Sequence, residues 1–355
     1  MTGLCTESYH GNFLTTKIKP CMDPVSQAAL GASFSQSFAG KRGRQVAALL
    51  IGALAGMAPD LDILIRSPRD PLLFLEYHRQ FTHALAFVPV GALLCALVFF
   101  PFARSHLSFR QIYLFSFLGY ATHGLLDAGT SYGTQLLWPF SDQRVAWNLV
   151  SIVDPLFTLP VLLLILLAAF RKRSGYARAA FIYAVIYLAL GLIQKQRAED
   201  AVQALAEQRG HFPVRVEVKP SFANRHLWKT IYEHDGRYYV DAVRLVRKME
   251  LLPGTSIAKL DMQRDFPWLP ASSRQARDIE RFRWFSDDFL AVSPQDPNLI
   301  VDVRYSFLPN RIDPMWGVAV NRVSIEAGDH DTHVEYRVIR NTNKQTTEQF
   351  LDMLF

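Results

Sequence analysis

Residues 84–103, ALAFVPVGALLCALVFFPFA, are twenty consecutive residues without a charge. A helix of that length covers the roughly 30 Å hydrocarbon core of a bilayer, so this run predicts a membrane span. Four shorter uncharged runs lie at 45–59, 111–126, 155–170 and 179–194. Each alone also fits a buried core helix. Together, with basic residues at their ends, they predict a compact bundle of about five or six helices. Residues 24–39 are the candidate sixth, although Ser, Gln and Gly interrupt their apolar character.

The composition divides the chain in the same way. Hydrophobic residues make up 50% and charged residues 20%. The long uncharged runs all fall in residues 22–195, whereas 196–355 are dense in charge and read as soluble. The expected fold class is an α-helical membrane bundle followed by a soluble α+β, mainly β, domain. Residues 1–21 contain no apolar core of a signal peptide and read as an unstructured extension. Met22, followed by DPVSQAALGAS, reads as a more natural start. The three cysteines, Cys5, Cys21 and Cys95, form no CxxC pair and support neither a disulfide framework nor a thiolate metal site.

Basic residues orient the bundle. Lys41, Arg42 and Arg44 precede the first run, Arg104 and Arg110 link the second and third, and Arg171, Lys172, Arg173 and Arg178 link the fourth and fifth. The opposite loops, 60–83 and 127–154, hold only Arg66, Arg69, Arg79 and Arg144. The positive-inside rule places the first group in the cytoplasm and the C-terminal domain on the periplasmic side of the inner membrane. The net charge of +6 belongs to this topology, and no basic stripe interleaved with aromatics points to nucleic acid.

The C-terminal half reads mainly as strand. VRVEVKP alternates, and KTIYEHDGRYYVDAVRLV is a hairpin with Asp235-Gly236 as a type I′ turn. Residues 299–306, 316–326 and 333–339 read as further strands, TTEQFLDMLF as a terminal helix, and 195–209 as an extension of the last span.

Ionisable residues gather at the outer ends of the predicted spans. Asp60 and Asp62 follow the first, His78 and His83 precede the second, His123 and Asp127 lie near the end of the third, and Asp154 precedes the fourth. His123 and Asp127 are four residues apart, hence neighbours on one helical face. Imidazoles and carboxylates without thiolate suit Zn²⁺, Mn²⁺ or Fe²⁺. Seven groups exceed the ligands of one zinc site, so either two metals bind or some groups support the others. Asp60, Asp62, His78, His83, His123 and Asp127 are the candidate ligands, and Asp154 is the candidate general base. Each residue taken singly also fits a solvated or capping role. Trp138-Pro139-Phe140, with Tyr132 and Trp147, reads as an interfacial aromatic belt, and GDHDTH at 328–333 as a polar turn or a second ligand cluster.

The series PDLD, HRQFTH, HGLLD, LLWPFS and a final Asp-Pro before a span resembles the bacterial membrane-bound metal-dependent hydrolases over about residues 22–170. RFRWFSDDFLAV and WGVAV resemble segments of longer members. The resemblance implies a divalent metal, Zn or Mn, and hydrolysis at the outer membrane surface of a phosphoester, ester or amide in a lipid or envelope molecule. One departure is Ser26-Gln27, where members often carry Thr-His; if that His is a ligand, this chain lacks it. The alternatives are a transporter using the same cluster as a cation or proton path, and a non-catalytic envelope protein braced by metal.

Overall fold

The structure, a computed structural model, describes residues 23–40, 42–339 and 343–355. The expected extension 1–21, the start at Met22, Cys5, Cys21 and Lys41 lie outside the described residues.

The N-terminal half is helical. α1 spans Pro24–Ser37 and α2 Gln45–Met57, the latter continuing as a 3₁₀ turn over Ala58–Leu64. A short α3, Leu73–Tyr77, and 3₁₀ turns at Phe81–His83 and Leu85–Phe87 lead into α4, Val88–Ala103. α5 (Phe109–Gly129), α6 (Pro155–Arg171) and α7 (Ser174–Gln208) follow. By length and apolar character three described segments can cross a membrane: Gln45–Leu64, Leu85–Ala103 and Ser174–Gln208, with Pro155–Arg171 a shorter apolar helix. Their outward faces are bare hydrocarbon; Val98 and Phe102 on α4 are 61% and 84% exposed, which suits contact with lipid and not with water.

α1 is the hub of this half despite its polar composition. Ala29, Leu30 and Ala32 pack against Phe157, Val161 and Ile165 of α6 and against Ala180, Ala184 and Tyr187 of α7. Its polar side chains are buried too, because they bond to neighbouring backbone: the Ser35 hydroxyl donates to the Phe115 carbonyl at 2.8 Å, and Gln36 Nε2 to that of Gln45 at 3.1 Å. Small residues allow the approach. A Cβ on Gly52 of α2 would lie 2.3 Å from Ser35 Oγ and 2.7 Å from the Gly31 carbonyl oxygen. Small side chains of this kind let helix backbones come together in membranes.

The C-terminal half holds two antiparallel sheets. β1 (Arg215–Pro220), β2 (Leu227–His234), β3 (Arg237–Leu245) and β4 (Met249–Ala258) form the first in that order. β5 (Leu290–Val292), β6 (Leu299–Asp302), β7 (Trp316–Ala319) and β8 (Glu335–Val338) form the second. Helices α8 (Met262–Asp265), α9 (Arg274–Phe285), α10 (Arg322–Glu326) and α11 (Lys344–Leu354) complete it. The β2–β3 hairpin turns at Asp235 and Gly236, both with positive φ (47° and 65°), as a type I′ turn requires. The strand predicted over 316–326 stops at Ala319, because the Asn321 side chain accepts from the Ser324 N–H and starts α10.

No linker separates the halves at 195/196. α7 runs through that point, and its outer part packs Ala198, Ala201 and Val202 against Val218, Trp228 and Val243 of the first sheet. A second joint lies in the loops. Leu72, Leu75 and Tyr132 are buried with Phe282, Phe285 and Ile300 in one core. Tyr132 therefore serves the C-terminal core instead of an interfacial belt, whereas Phe140 and Trp147 are 88% and 41% exposed.

Gly52→Val should force α1 and α2 apart and lower stability by about 1–3 kcal/mol, the usual cost of overpacking. Unfolding in detergent micelles measures it; an unchanged transition would show that the two helices do not meet at Gly52.

Candidate metal centre

The proline in APDLD starts the 3₁₀ turn that ends α2, and Asp60 lies in its first turn. His123 and Asp127 stand one turn apart on α5, and His83 closes the 3₁₀ turn before α4. The close fit of His83 depends on Gly124, where a Cβ would lie 2.2 Å from the His83 carbonyl oxygen. His123 thus needs a glycine as its neighbour.

These elements bring four donor atoms together. His83 Nε2 lies 2.9 Å from His123 Nε2, 3.2 Å from Asp127 Oδ2 and 3.5 Å from Asp60 Oδ1. His123 Nε2 lies 3.4 Å from Asp60 Oδ1 and 3.7 Å from Asp127 Oδ2. Tetrahedral zinc with bonds of about 2.0–2.1 Å has ligand–ligand edges of about 3.3–3.4 Å. The observed separations bracket that value. The side chains of His83, His123 and Asp127 are fully buried, and only Asp60, 21% exposed, reaches solvent.

The outer contacts of both imidazoles leave Nε2 as the atom that could ligate a metal. His123 Nδ1 donates to the Gly56 carbonyl at 2.5 Å. His83 Nδ1 donates to Thr82 Oγ1 at 2.9 Å, and the Thr82 hydroxyl in turn donates to Asp62 Oδ2 at 2.8 Å. In the neutral rings both Nε2 lone pairs then face one point beside two carboxylates. A proton on one ring would answer only part of that charge, whereas a divalent cation answers all four donors.

Asp62 and His78 form the flank of the centre. Asp62 Oδ1 accepts from His78 Nδ1 at 2.7 Å, and Oδ2 accepts from the Arg79 N–H at 2.9 Å as well as from Thr82. Asp62 thereby holds His78 and the His83 turn in place. His78 also falls with Asp60 and Asp62 in a second group whose donor atoms lie within 4.8 Å of one another. Asp154 is not brought to either group. Its Oδ1 accepts from the Leu156 and Phe157 N–H groups and its Oδ2 from the Tyr187 hydroxyl at 2.8 Å, so it caps α6. In GDHDTH, Asp329 caps its own turn and His333 Nδ1 pairs with Asp278 at 2.7 Å.

Other residues at the centre were not singled out from the sequence. Arg79 is fully buried, its Nε 2.9 Å from Asp127 Oδ2 and its guanidinium 4.8 Å from the Tyr132 ring. Gln27 Nε2 donates to the other oxygen, Asp127 Oδ1, at 2.7 Å. Gln27 thus bonds a candidate ligand from the position where members of the resembled family often carry a histidine. Thr82 and Arg79 lay inside the HRQFTH block, but spacing alone did not separate their roles.

The C-terminal half braces the loop that carries these groups. Arg281 of α9 bonds Asp70 through two nitrogens at 2.8 and 3.0 Å and reaches Glu76 at 2.5 Å. Burial pushes the Asp70 carboxyl up, but the bonds from Arg281 and the Leu72 N–H outweigh it and hold Asp70 below the usual carboxylate range.

Asp62→Ala should weaken zinc binding by about 10–100-fold, the usual effect of losing an outer partner of ligating histidines. Competition titration against a chromophoric chelator reads it; unchanged affinity would mean that Asp62 does not orient His83.

Residues 22–198 match the family described as YdjM inner membrane protein. The protein named uncharacterized protein YfhP of Bacillus subtilis (strain 168) is 30% identical over 109 residues, covering 30% of this chain and 33% of that protein. Inner membrane protein YbcI of Escherichia coli (strain K12) is 32% identical over 108 residues, covering 29% of this chain and 61% of that protein. The chain thus spans less than two thirds of the length of either relative. No solved structure matches it. Its apolar helices and the match over residues 22–198 support an inner-membrane location.

Proposed function

We propose that this chain is a membrane-bound metal-dependent hydrolase with one principal ion held by Asp60, His83, His123 and Asp127. The observation that carries this reading is the meeting of four donor atoms from three chain segments, with five of their separations between 2.9 and 3.7 Å. Two imidazoles and two carboxylates suit zinc, with manganese the second choice. A divalent ion in such a site supplies Lewis acidity and brings the pKa of water toward neutrality.

The protein's own groups do the rest. His123 and His83 are fixed in the ligating tautomer by Gly56 and by Thr82 with Asp62. Arg79 offsets the charge of Asp127 in a buried setting, where an unpaired carboxylate would be costly. Asp60 would ligate through Oδ1 on the one solvent-reaching side, which leaves its second carboxylate oxygen to accept the proton of an attacking water. It takes the base role that the sequence suggested for Asp154. The substrate class is a lipid or envelope molecule with a phosphoester, ester or amide bond, presented at the membrane surface.

Burial of three of the four donors favours a second reading, in which the ion only braces the bundle. Turnover and metal content separate the two. His123→Ala should lose both metal and hydrolysis of a panel of phospholipid and envelope-precursor substrates, and Asp154→Asn should keep its metal. If wild-type protein holds stoichiometric metal, turns over nothing in the panel, and its cobalt form shows no exchangeable water, the bracing reading replaces hydrolysis.

The same reading puts the centre and the C-terminal half on the periplasmic side, by the charge asymmetry of the loops. Lys344, with a side chain 91% exposed, offers the test. Lys344→Cys should react with an impermeant maleimide in intact spheroplasts. Reaction only after lysis would move the site to the cytoplasm.

A further inference from the structure

Residues 76–80 form a partition. His78 and Arg79 turn toward Asp62 and Asp127, whereas Glu76, Tyr77 and Gln80 line a separate cavity of about 1100 Å³ between the two halves of the chain. The walls of this cavity are largely apolar. Tyr77 and Trp138 come from the helical half, and Phe266, Pro267, Leu269 and Trp284 from the C-terminal half.

Its level relative to the membrane follows from one hydrogen bond. The Leu85 N–H donates to the Leu136 carbonyl at 3.0 Å, which ties the loop bearing Trp138 to the first residue of the Leu85–Ala103 span. On either side of Trp138 in that loop, Leu137 and Phe140 are 48% and 88% exposed. Aromatic and apolar side chains at a span terminus mark the bilayer interface. A large aromatic-walled cavity at that level is suited to hydrocarbon entering from the membrane.

The polar lining narrows the class of lipid. Glu76 is already bonded to Arg281. The other charged lining residues are Arg277, Asp142 and Glu280, all exposed; Arg277 also donates to the Ser272 carbonyl and Glu280 accepts from Arg283 at 3.2 Å. A head group carrying a phosphate and an ammonium meets both signs; a purely anionic head group meets two carboxylates.

We propose that this cavity binds an acyl chain of a zwitterionic membrane phospholipid, with its head group at Arg277, Asp142 and Glu280. Binding does not depend on hydrolysis; only turnover of the bound lipid rests on the metal-centre reading. In that case the lipid lies across residues 76–80 from His78 and Arg79, whose partners are Asp62 and Asp127.

The test uses the full chain in vesicles containing phosphatidylethanolamine with a diazirine at the end of one acyl chain. After illumination, label should map to peptides containing residues 266–269 and to those containing Tyr77 or Trp138. Ala276→Trp, which fills the cavity from α9, should cut that label about tenfold, the loss expected for roughly 1.4 kcal/mol of binding. Ala276→Leu should reduce it less, with zinc content and far-ultraviolet dichroism unchanged in both. Label confined to the membrane-facing helices, or unaffected by both substitutions, would overturn the lipid site. Equal labelling by a phosphatidylglycerol probe would overturn the head-group assignment. Specific labelling without hydrolysis would uphold the lipid site while removing the enzymatic reading, and lipid hydrolysis without specific labelling would do the reverse.

Discussion

Two imidazole nitrogens 2.9 Å apart, with two carboxylate oxygens beside them, are stable neighbours only when positive charge, a proton or a cation, lies among them. In a buried site their mutual repulsion is poorly screened. Arg79 supplies one positive charge, from the side of Asp127. The remaining convergence of lone pairs is what a divalent ion would satisfy, and much of the surrounding structure serves to maintain it. Gly124 lets the His83 backbone approach α5, Gly56 fixes the His123 tautomer, and Asp62 fixes His78 and the turn that bears His83.

The C-terminal half is part of that support. Tyr132, beneath the Arg79 guanidinium, packs edge-on against Phe285, with ring centroids 5.4 Å apart. Arg281 grips Asp70 and Glu76, a few residues before His78. The Tyr305 hydroxyl donates to the Ser131 carbonyl at 2.5 Å, close to the end of α5. Two loops are thereby packed into the C-terminal core, which would give the candidate ligands the rigid surroundings that a metal site requires. The shared helix α7 fixes the relation between the halves at a third point.

The residues that converge at the centre were legible because charged groups at the ends of apolar runs are conspicuous. The supporting groups were not, since Gln27, Thr82 and Gly124 acquire their roles only when separate segments meet. Asp154 shows the opposite error. An isolated Asp before a span suggested a base, but Asp followed by Pro155 at the first helical position is also a helix start, and the capping role won. The strong β2–β3 hairpin was visible from alternation and its Asp-Gly turn. β4 was missed because Pro253 and Gly254 break its pattern; there the β3–β4 register shifts between Val240 and Ala242, and the Gly254 N–H bonds Asp241. α9 was also missed, although its Ser273 cap and the three-residue spacing of Ile279, Phe282 and Phe285 were available. Its charged outer face diluted the apolar signal.

A single ion among His83, His123, Asp60 and Asp127 would have a defined set of neighbours. X-ray absorption at the zinc edge on the purified, zinc-loaded chain tests this most directly. The proposed centre predicts one tightly held equivalent with only nitrogen and oxygen neighbours at about 2.0–2.1 Å. It also predicts outer-shell scattering from two imidazoles, which His123→Ala should reduce to one or abolish along with the metal. A spectrum with sulfur neighbours, or one without imidazole scattering and unchanged by His123→Ala, would contradict the assignment.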